Sequence, residues 1–532
     1  MSRCLKGSWV AAQLLLLFTS ASFADTYPRQ PIDVIHYKFA LTLSDATDEI
    51  GGEATVDVRF LVAGTTSFML DLASPSMAVN GVSTNDESHI YTHTGNRLTI
   101  TLGNPPVMGE RRQFRIVYRG VPTGGLRIIK NKYNERTFFS ENWPNQARQW
   151  LPMIDHPYDK ATSEFLITAP AHYQVIANGL LIEETDLGDG RRLTHWKQSV
   201  PIASWLNAIG VAQFSVRQFG VAKGIPLSTW VYHQDRHQGI ATFDLPTRQA
   251  MEFFSDYVGP FSYEKLANVV AAGLNGGTEH ASAIFYGEKS VSDKPATRLV
   301  YHEIAHQWFG DAITEKDWDE VWLSEGFATY FTLLGVEHYE GRDAFLAGIQ
   351  RSRAGIIELE VKLPNTPVIH NNLSDMKKVL NRLIYEKGGW TLHMLRRQMG
   401  DEKFQAGIRD YYQRYRDGNN TTAEFRQVME DHSGLKLARF FDQWLKRAGV
   451  PQVTGSWSYN AAAKKIFVDL AQTQDGDSYL LPLQFGIDGE KVVEVVMTSK
   501  SQHVEIPVES APKSLVLDPN VNTLMQAKFG PR

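Results

Sequence analysis

The chemistry in this sequence concentrates in His302-Glu303-Ile304-Ala305-His306, which lies inside Thr297 to Phe309, a stretch with apolar residues at helical spacing. Residues four apart on a helix are offset by about 40° with a rise near 6 Å, so both imidazoles can reach one ion from the same face. Glu303 follows one position on, angled toward the ion's open side, where it can accept a proton from water. A third ligand must come from elsewhere, and eighteen residues separate His306 from Glu325 in Trp322-Leu323-Ser324-Glu325-Gly326-Phe327-Ala328. A loop holding Trp318 followed by a second, returning helix would bring Glu325 back to the histidines. Structural zinc sites fill all four positions with Cys and His, whereas catalytic ones use three protein ligands and leave one position for water. The pattern therefore predicts one Zn²⁺ per chain, held by His302, His306 and Glu325, and hydrolytic chemistry.

The surrounding elements divide into three parts. Residues 31 to 220 read mostly as strands, among them Ile35 to Leu43, Ala54 to Phe60, Arg97 to Leu102 and Gln113 to Tyr118. Gly51-Gly52, Asn80-Gly81 and Gly124-Gly125 punctuate them, as expected of a β-sandwich or saddle. After one more strand, Leu227 to His233, helical periodicity dominates: 245–257, 295–309, 325–338, 376–397, 402–416 and 422–448. Strand patterns return after Val450 and predict a small C-terminal β-sandwich. The expected division is a signal peptide at 1–24, an N-terminal β-domain at 25–223, a catalytic domain at 224–449 and a C-terminal domain at 450–532.

Composition narrows the function classes. The chain has 532 residues, 43% hydrophobic and 21% charged, with a formal charge of -5, so it lacks the basic character that nucleic acid or anionic membrane would attract. Arg3 and Lys6 precede an apolar run from Trp9 to Phe18, and Ser22-Phe23-Ala24 supplies small residues at a cleavage site before Asp25. That run is shorter than the roughly 20 residues needed to span a bilayer. Export to a periplasm or the exterior is expected, with no integral membrane segment in the mature chain. The single cysteine, Cys4, falls inside the signal, so neither a thiolate ligand nor a disulfide is available after cleavage. Oligomeric state is not readable.

The run HEIAHQWFGD, with its spaced WLSEGFATYF, resembles the gluzincin zinc aminopeptidases, the group of aminopeptidase N and leukotriene hydrolase. Residues 142–161 (NWPNQARQWLPMIDHPYDKA) and 440–450 (FFDQWLKRAGV) extend the resemblance over most of the mature chain. It implies a multidomain α+β protein: an N-terminal β-saddle, a thermolysin-like catalytic domain, mostly α with a small sheet, and a C-terminal extension. With about 80 residues after Val450, all strand-like, the chain resembles a short bacterial-type exported member with a more open cleft.

The same resemblance implies roles. Tyr385, in Tyr385-Glu386-Lys387-Gly388-Gly389, matches a tyrosine that hydrogen-bonds the developing oxyanion. Gly276-Gly277-Thr278-Glu279-His280 stands where the family has a GxMEN loop: its backbone aligns substrate as an edge strand and its glutamate, here Glu279, holds the free α-amino group. Thr278 and His280 depart from that loop, and the departure leaves His280 as a possible carbonyl partner. Trp143 occupies a position where many members carry Glu or Gln as a second amine contact, and strand alternation leaves the direction of the nearby Glu141 open. The implied activity is removal of N-terminal residues from peptides with a free N-terminus. A zinc endopeptidase, an epoxide-type hydrolase and an inactive binding module on the same scaffold stay open as alternatives.

Overall fold

The computed structural model describes residues 27–532 except 86, 371, 372, 374, 375, 377 and 378, so the signal-like segment lies outside the described residues. Alternating burial drives the first part. In Ile50–Phe60 every second side chain is buried, and the strand pairs with Ile32–Thr42 on one side and Arg111–Gly120 on the other. These form the middle of an eight-stranded sheet that also takes in Ala161–Pro170 and Arg191–Ile202. A four-stranded sheet carries Arg136–Glu141 between Gly125–Lys130 and Ile209–Ala212.

The central part is built on a five-stranded mixed sheet, in the order Phe214–Ala222, Ile225–Tyr232, Leu266–Ala271, Ala283–Gly287 and Gly277–Thr278. Leu266–Ala271 and Ala283–Gly287 are wholly buried and run parallel, which is why they read as apolar runs without alternation. The two-residue strand Gly277–Thr278 pairs antiparallel at the sheet's edge. Eight helices complete this part: α1 (Arg236–Tyr257) and α2 (Thr297–His306) meet the sheet, and α3 (Trp322–Glu340), α4 (Arg342–Lys362), α5 (Arg382–Met399), α6 (Asp401–Tyr415), α7 (Thr422–Ser433) and α8 (Ala438–Phe441) follow, with α2 to α7 packed in turn on one another.

Two helical expectations need correction. The pattern at 422–448 is not one helix. Thr421 and Glu424 close a capping box at the start of α7, but Gly434 adopts a left-handed conformation (φ 74°) and ends it; a separate turn, α8 with 442–446, follows. Helix α4 was not expected at all. Its interior glycines, Gly348 and Gly355, and its many charges dilute the periodic signal.

Close backbone approach fixes the helix that carries Glu325. A Cβ on Gly326 of α3 would lie 3.0 Å from the Cα and carbonyl carbon of Gly388 on α5, so the two helices touch backbone to backbone. Lys387, fully buried beside this contact, donates to Glu360 of α4 (3.0 Å) and to the carbonyls of Arg447 (3.2 Å) and Gly449 (2.8 Å). The chain then enters a four-stranded sheet, Ser501–Pro507, Lys465–Gln472, Gln452–Asn460 and Gln526–Pro531, and a three-stranded one, Lys491–Met497, Leu481–Ile487 and Leu515–Leu517. The N-terminal β-rich domain, helical catalytic domain and C-terminal sheets agree with the predicted fold class.

Candidate active site

Helix α2 presents His302 and His306 on one face, with Nε2 atoms 3.2 Å apart. Glu325, in the first turn of α3, sets Oε2 at 3.3 Å from His302 Nε2 and 3.2 Å from His306 Nε2. Ligand atoms around a tetrahedral zinc, each ~2.0–2.1 Å from the ion, are separated by about 3.3 Å. The three edges of the triangle match that spacing. Glu325 Oε2 is buried without a well-aligned hydrogen-bond partner among the described residues, a lack that an ion at the centre of the triangle would make good. Cysteine is absent from the described residues, and the N, N, O donor set with one side open is that of a catalytic zinc site.

Outer contacts hold these ligands. His306 Nδ1 lies 3.0 Å from Ser324 Oγ and 3.2 Å from the carbonyl oxygen of Phe309, which leaves Nε2 to face the site. Gln307, the next residue, ties the 276–280 loop to the same helix: its amide donates to the Glu279 carbonyl (2.8 Å), and its oxygen accepts from the Ser282 N–H (2.8 Å). Lys160 donates to the carbonyls of Asp311 (2.9 Å) and Ala312 (3.0 Å), so the first domain also braces the turn after α2.

Glu303 is buried and groups with Glu279 and His306 within coordination range. Burial pushes its carboxyl well above the usual range; His306 opposes this, and Glu279, Glu325 and Glu141 reinforce it. Burial also raises Glu279. For His306 burial works the other way, but the carboxylates of Glu325 and Glu279 overcome it and raise the imidazole well above its ordinary value. Glu325 stays low despite burial, because His306 and the His302 and His306 contacts favour its charge. A knot of carboxylates that drives a proton onto a buried imidazole calls for a cation at its centre, and a divalent ion would take that proton's place.

The structure settles the placement of the remaining predicted residues. Gly276 has a positive φ of 84° and opens the turn into the edge strand. Gly277 has no room for a side chain: a Cβ there would stand 2.4 Å from the Glu303 carboxylate carbon. Thr278 turns its hydroxyl toward Glu141 Oε2, at 3.4 Å. His280 does not face the cleft. It is fully buried, its Nε2 lies 3.3 Å from the Ser140 carbonyl oxygen, and burial lowers its pKa to about 4, so it is a neutral packing residue. Trp143 packs against Trp318 (ring centroids 5.1 Å), which in turn meets Trp205 (5.0 Å). Tyr385 stacks near His302 (6.1 Å), and burial together with Glu325 raises its pKa, so its hydroxyl remains a donor.

Sequence reasoning left Glu141 undirected and missed Gln307 and Ser324. Glu141 points inward from the end of Arg136–Glu141, toward Thr278, with Arg127 at 3.8 Å. The signal for Gln307 and Ser324 was their adjacency to the metal ligands, which no periodicity could convert into contacts.

Two family descriptions match this chain: "Peptidase family M1 domain" over residues 244–444 and "Peptidase M1 N-terminal domain" over residues 34–206, together well over half of it. The chain belongs to peptidase family M1. Its relatives include glutamyl aminopeptidase of Rattus norvegicus, 26% identical over 388 residues (69% of this chain, 41% of the relative). The glutamyl aminopeptidase of Homo sapiens is 28% identical over 349 residues (62% of this chain, 36% of the relative). The chain thus spans about two fifths of the length of these curated relatives. Among solved structures, the M1 zinc metallopeptidase from Deinococcus radiodurans superposes with a TM-score of 0.69 at 25% identity, covering 78% of this chain and 94% of that one.

Proposed function

We propose that this M1 chain is a zinc-dependent aminopeptidase that hydrolyses the first bond of peptides with a free N-terminus. The observation that carries the reading is the buried Glu279, held by Gln307 beside the ligand triangle at the end of the edge strand Gly277–Thr278. His302, His306 and Glu325 would hold the ion. Zinc there would supply a lowered water pKa and polarisation of the scissile carbonyl. Glu303 takes the attacking water's proton and returns it to the departing amine. Glu279 and the inward-facing Glu141 form an anionic pocket for the substrate ammonium, a charge-assisted contact strengthened by burial. On this reading Glu141, and not the position of Trp143, supplies the second amine contact. Tyr385 donates to the oxygen that gains charge. The backbone of Gly277–Thr278 offers an edge on which an extended peptide would pair, setting its first bond beside His302, His306 and Glu325.

The test uses aminoacyl anilides and their N-acetylated counterparts, before and after chelation. Free-amine substrates alone should turn over, chelation should abolish turnover, and zinc should restore it. Glu303→Gln should keep stoichiometric zinc and lose turnover. Equal cleavage of the acetylated substrates would replace this reading with an endopeptidase.

The segment 1–24 supports export, with the mature chain starting at Asp25 in a periplasm or outside the cell. Mass spectrometry of protein recovered from the medium or periplasm should give that N-terminus. A chain that stays in the cytoplasm with Cys4 retained would refute it.

A further inference from the structure

A cavity of about 610 Å³ opens from the metal triangle, bounded by α2, α3, α4 and α5. It takes in His302 and Tyr385 but none of Glu141, Glu279 and Glu303. With the ammonium held on that carboxylate side and the scissile bond over the ligands, the part of the peptide beyond the bond has to enter this cavity.

Its charge is opposite to that of the amine pocket. Arg298, Arg351 and Arg382 line it, with Glu386 as the single carboxylate. Glu386 is already engaged, accepting from Ser352 (2.5 Å) and lying 3.6 Å from Arg382. Among the described residues Arg298 pairs only with Glu340, at 3.8 Å, with both side chains half-exposed. Arg351 makes no ion pair or hydrogen bond among the described residues. It projects from α4 one turn before Gly355, whose missing side chain would meet nothing within 4 Å and so leaves the wall clear. Guanidinium is the side chain best matched to planar carboxylate recognition. Arg351 is thus a guanidinium without an ion pair among the described residues, and Arg298 and Arg382 are held only by long ion pairs at 3.8 and 3.6 Å, so all three can turn toward a carboxylate in the cavity.

We infer that this cavity is a subsite for a carboxylate on the leaving side of the peptide, either an acidic side chain just after the cleaved bond or the α-carboxylate of a very short peptide. The inference rests on the aminopeptidase reading. It makes the preferred substrates short or acidic peptides, with the ammonium and the carboxylate bound on opposite sides of the metal. Because the arginines are solvent-accessible, screening keeps the preference near fivefold rather than hundredfold.

The experiment compares kcat/KM for four peptides sharing the N-terminal residue whose anilide is cleaved fastest. X-Glu-amide against X-Gln-amide isolates the side chain, and X-Ala against X-Ala-amide isolates the terminal carboxylate. At low salt, at least one acidic member should exceed its neutral partner about fivefold, and the advantage should shrink toward one near about 0.5 M salt. Whichever pair responds identifies the source of the carboxylate. In Arg298→Glu/Arg351→Glu the preference should invert, with X-Lys-amide overtaking X-Glu-amide. A ratio of one for both pairs in the wild type, or a ratio untouched by the double reversal, would overturn the inference. Calorimetry of the same peptides on zinc-loaded Glu303→Gln reads the same ratio in Kd, independently of turnover. Anilide hydrolysis without an acidic preference defeats only this inference, whereas an acidic preference in Kd without anilide hydrolysis defeats only the aminopeptidase reading.

Discussion

Replacing Gly277 with alanine should disable the enzyme through its base while leaving its metal in place. Gly277 has an ordinary negative φ, so alanine meets no backbone penalty there. The added methyl, however, would sit 2.4 Å from the Glu303 carboxylate carbon and 2.5 Å from Oε1, against an ordinary contact that begins at 3.4 Å. Glu303 must therefore withdraw by about 1 Å, and a misplacement of that size at a reacting group costs on the order of a hundredfold in rate. The three atoms nearest the new methyl all belong to Glu303, so zinc content should stay at one per chain. The assay is kcat on a free-amine anilide with metal analysis in parallel, repeated for Glu303→Gln and for the double variant. Both changes act through one carboxylate, so the double variant should be little worse than Glu303→Gln alone. Full activity in Gly277→Ala, loss of its zinc, or additive losses in the double variant would refute this account of the loop.

Tyr385→Phe should lower kcat about a hundredfold with little change in KM, since the hydroxyl serves the charge that develops during reaction; a raised KM with intact kcat would make it a ground-state contact. Asp159 is buried, with one oxygen accepting from the Val34 N–H at 3.4 Å and the other without a partner among the described residues. Burial raises its pKa from 3.8 to about 8, so the folded state holds a proton that the unfolded chain releases, and stability falls as pH rises from about 4 to about 8. Asp159→Asn should remove that loss, gaining on the order of a few kcal/mol by pH 8 and nothing near pH 4. Denaturant melts across the range would show it, and a gain that does not change with pH would count against it.

The metal ligands were legible because helix geometry converts sequence spacing directly into space: His302 and His306 share a face whatever the rest of the chain does. Glu325 was legible through its fixed spacing from His306. Glu141 was not, since its direction depends on which face of Arg136–Glu141 meets the loop more than a hundred residues later. His280 misled for the related reason that a polar residue next to a substrate loop can equally turn inward, where Ser140 and Phe285 receive it. Helix α4 escaped because one of its walls faces a cavity rather than core, so the apolar stripe that normally reveals a helix is broken by Arg351, Ser352 and Gly355.

The glycine contact between α3 and α5 has a mechanical consequence. Glu325 and Tyr385 flank a joint where the Gly326 and Gly388 backbones meet directly, with no side chain of their own to change rotamer. The spacing between the Glu325 ligand and the Tyr385 hydroxyl is therefore locked to a common ruler. Whatever accommodation different peptides demand has to be absorbed on the other shore, where Gln307 ties the 276–280 loop to the helix of the two histidines.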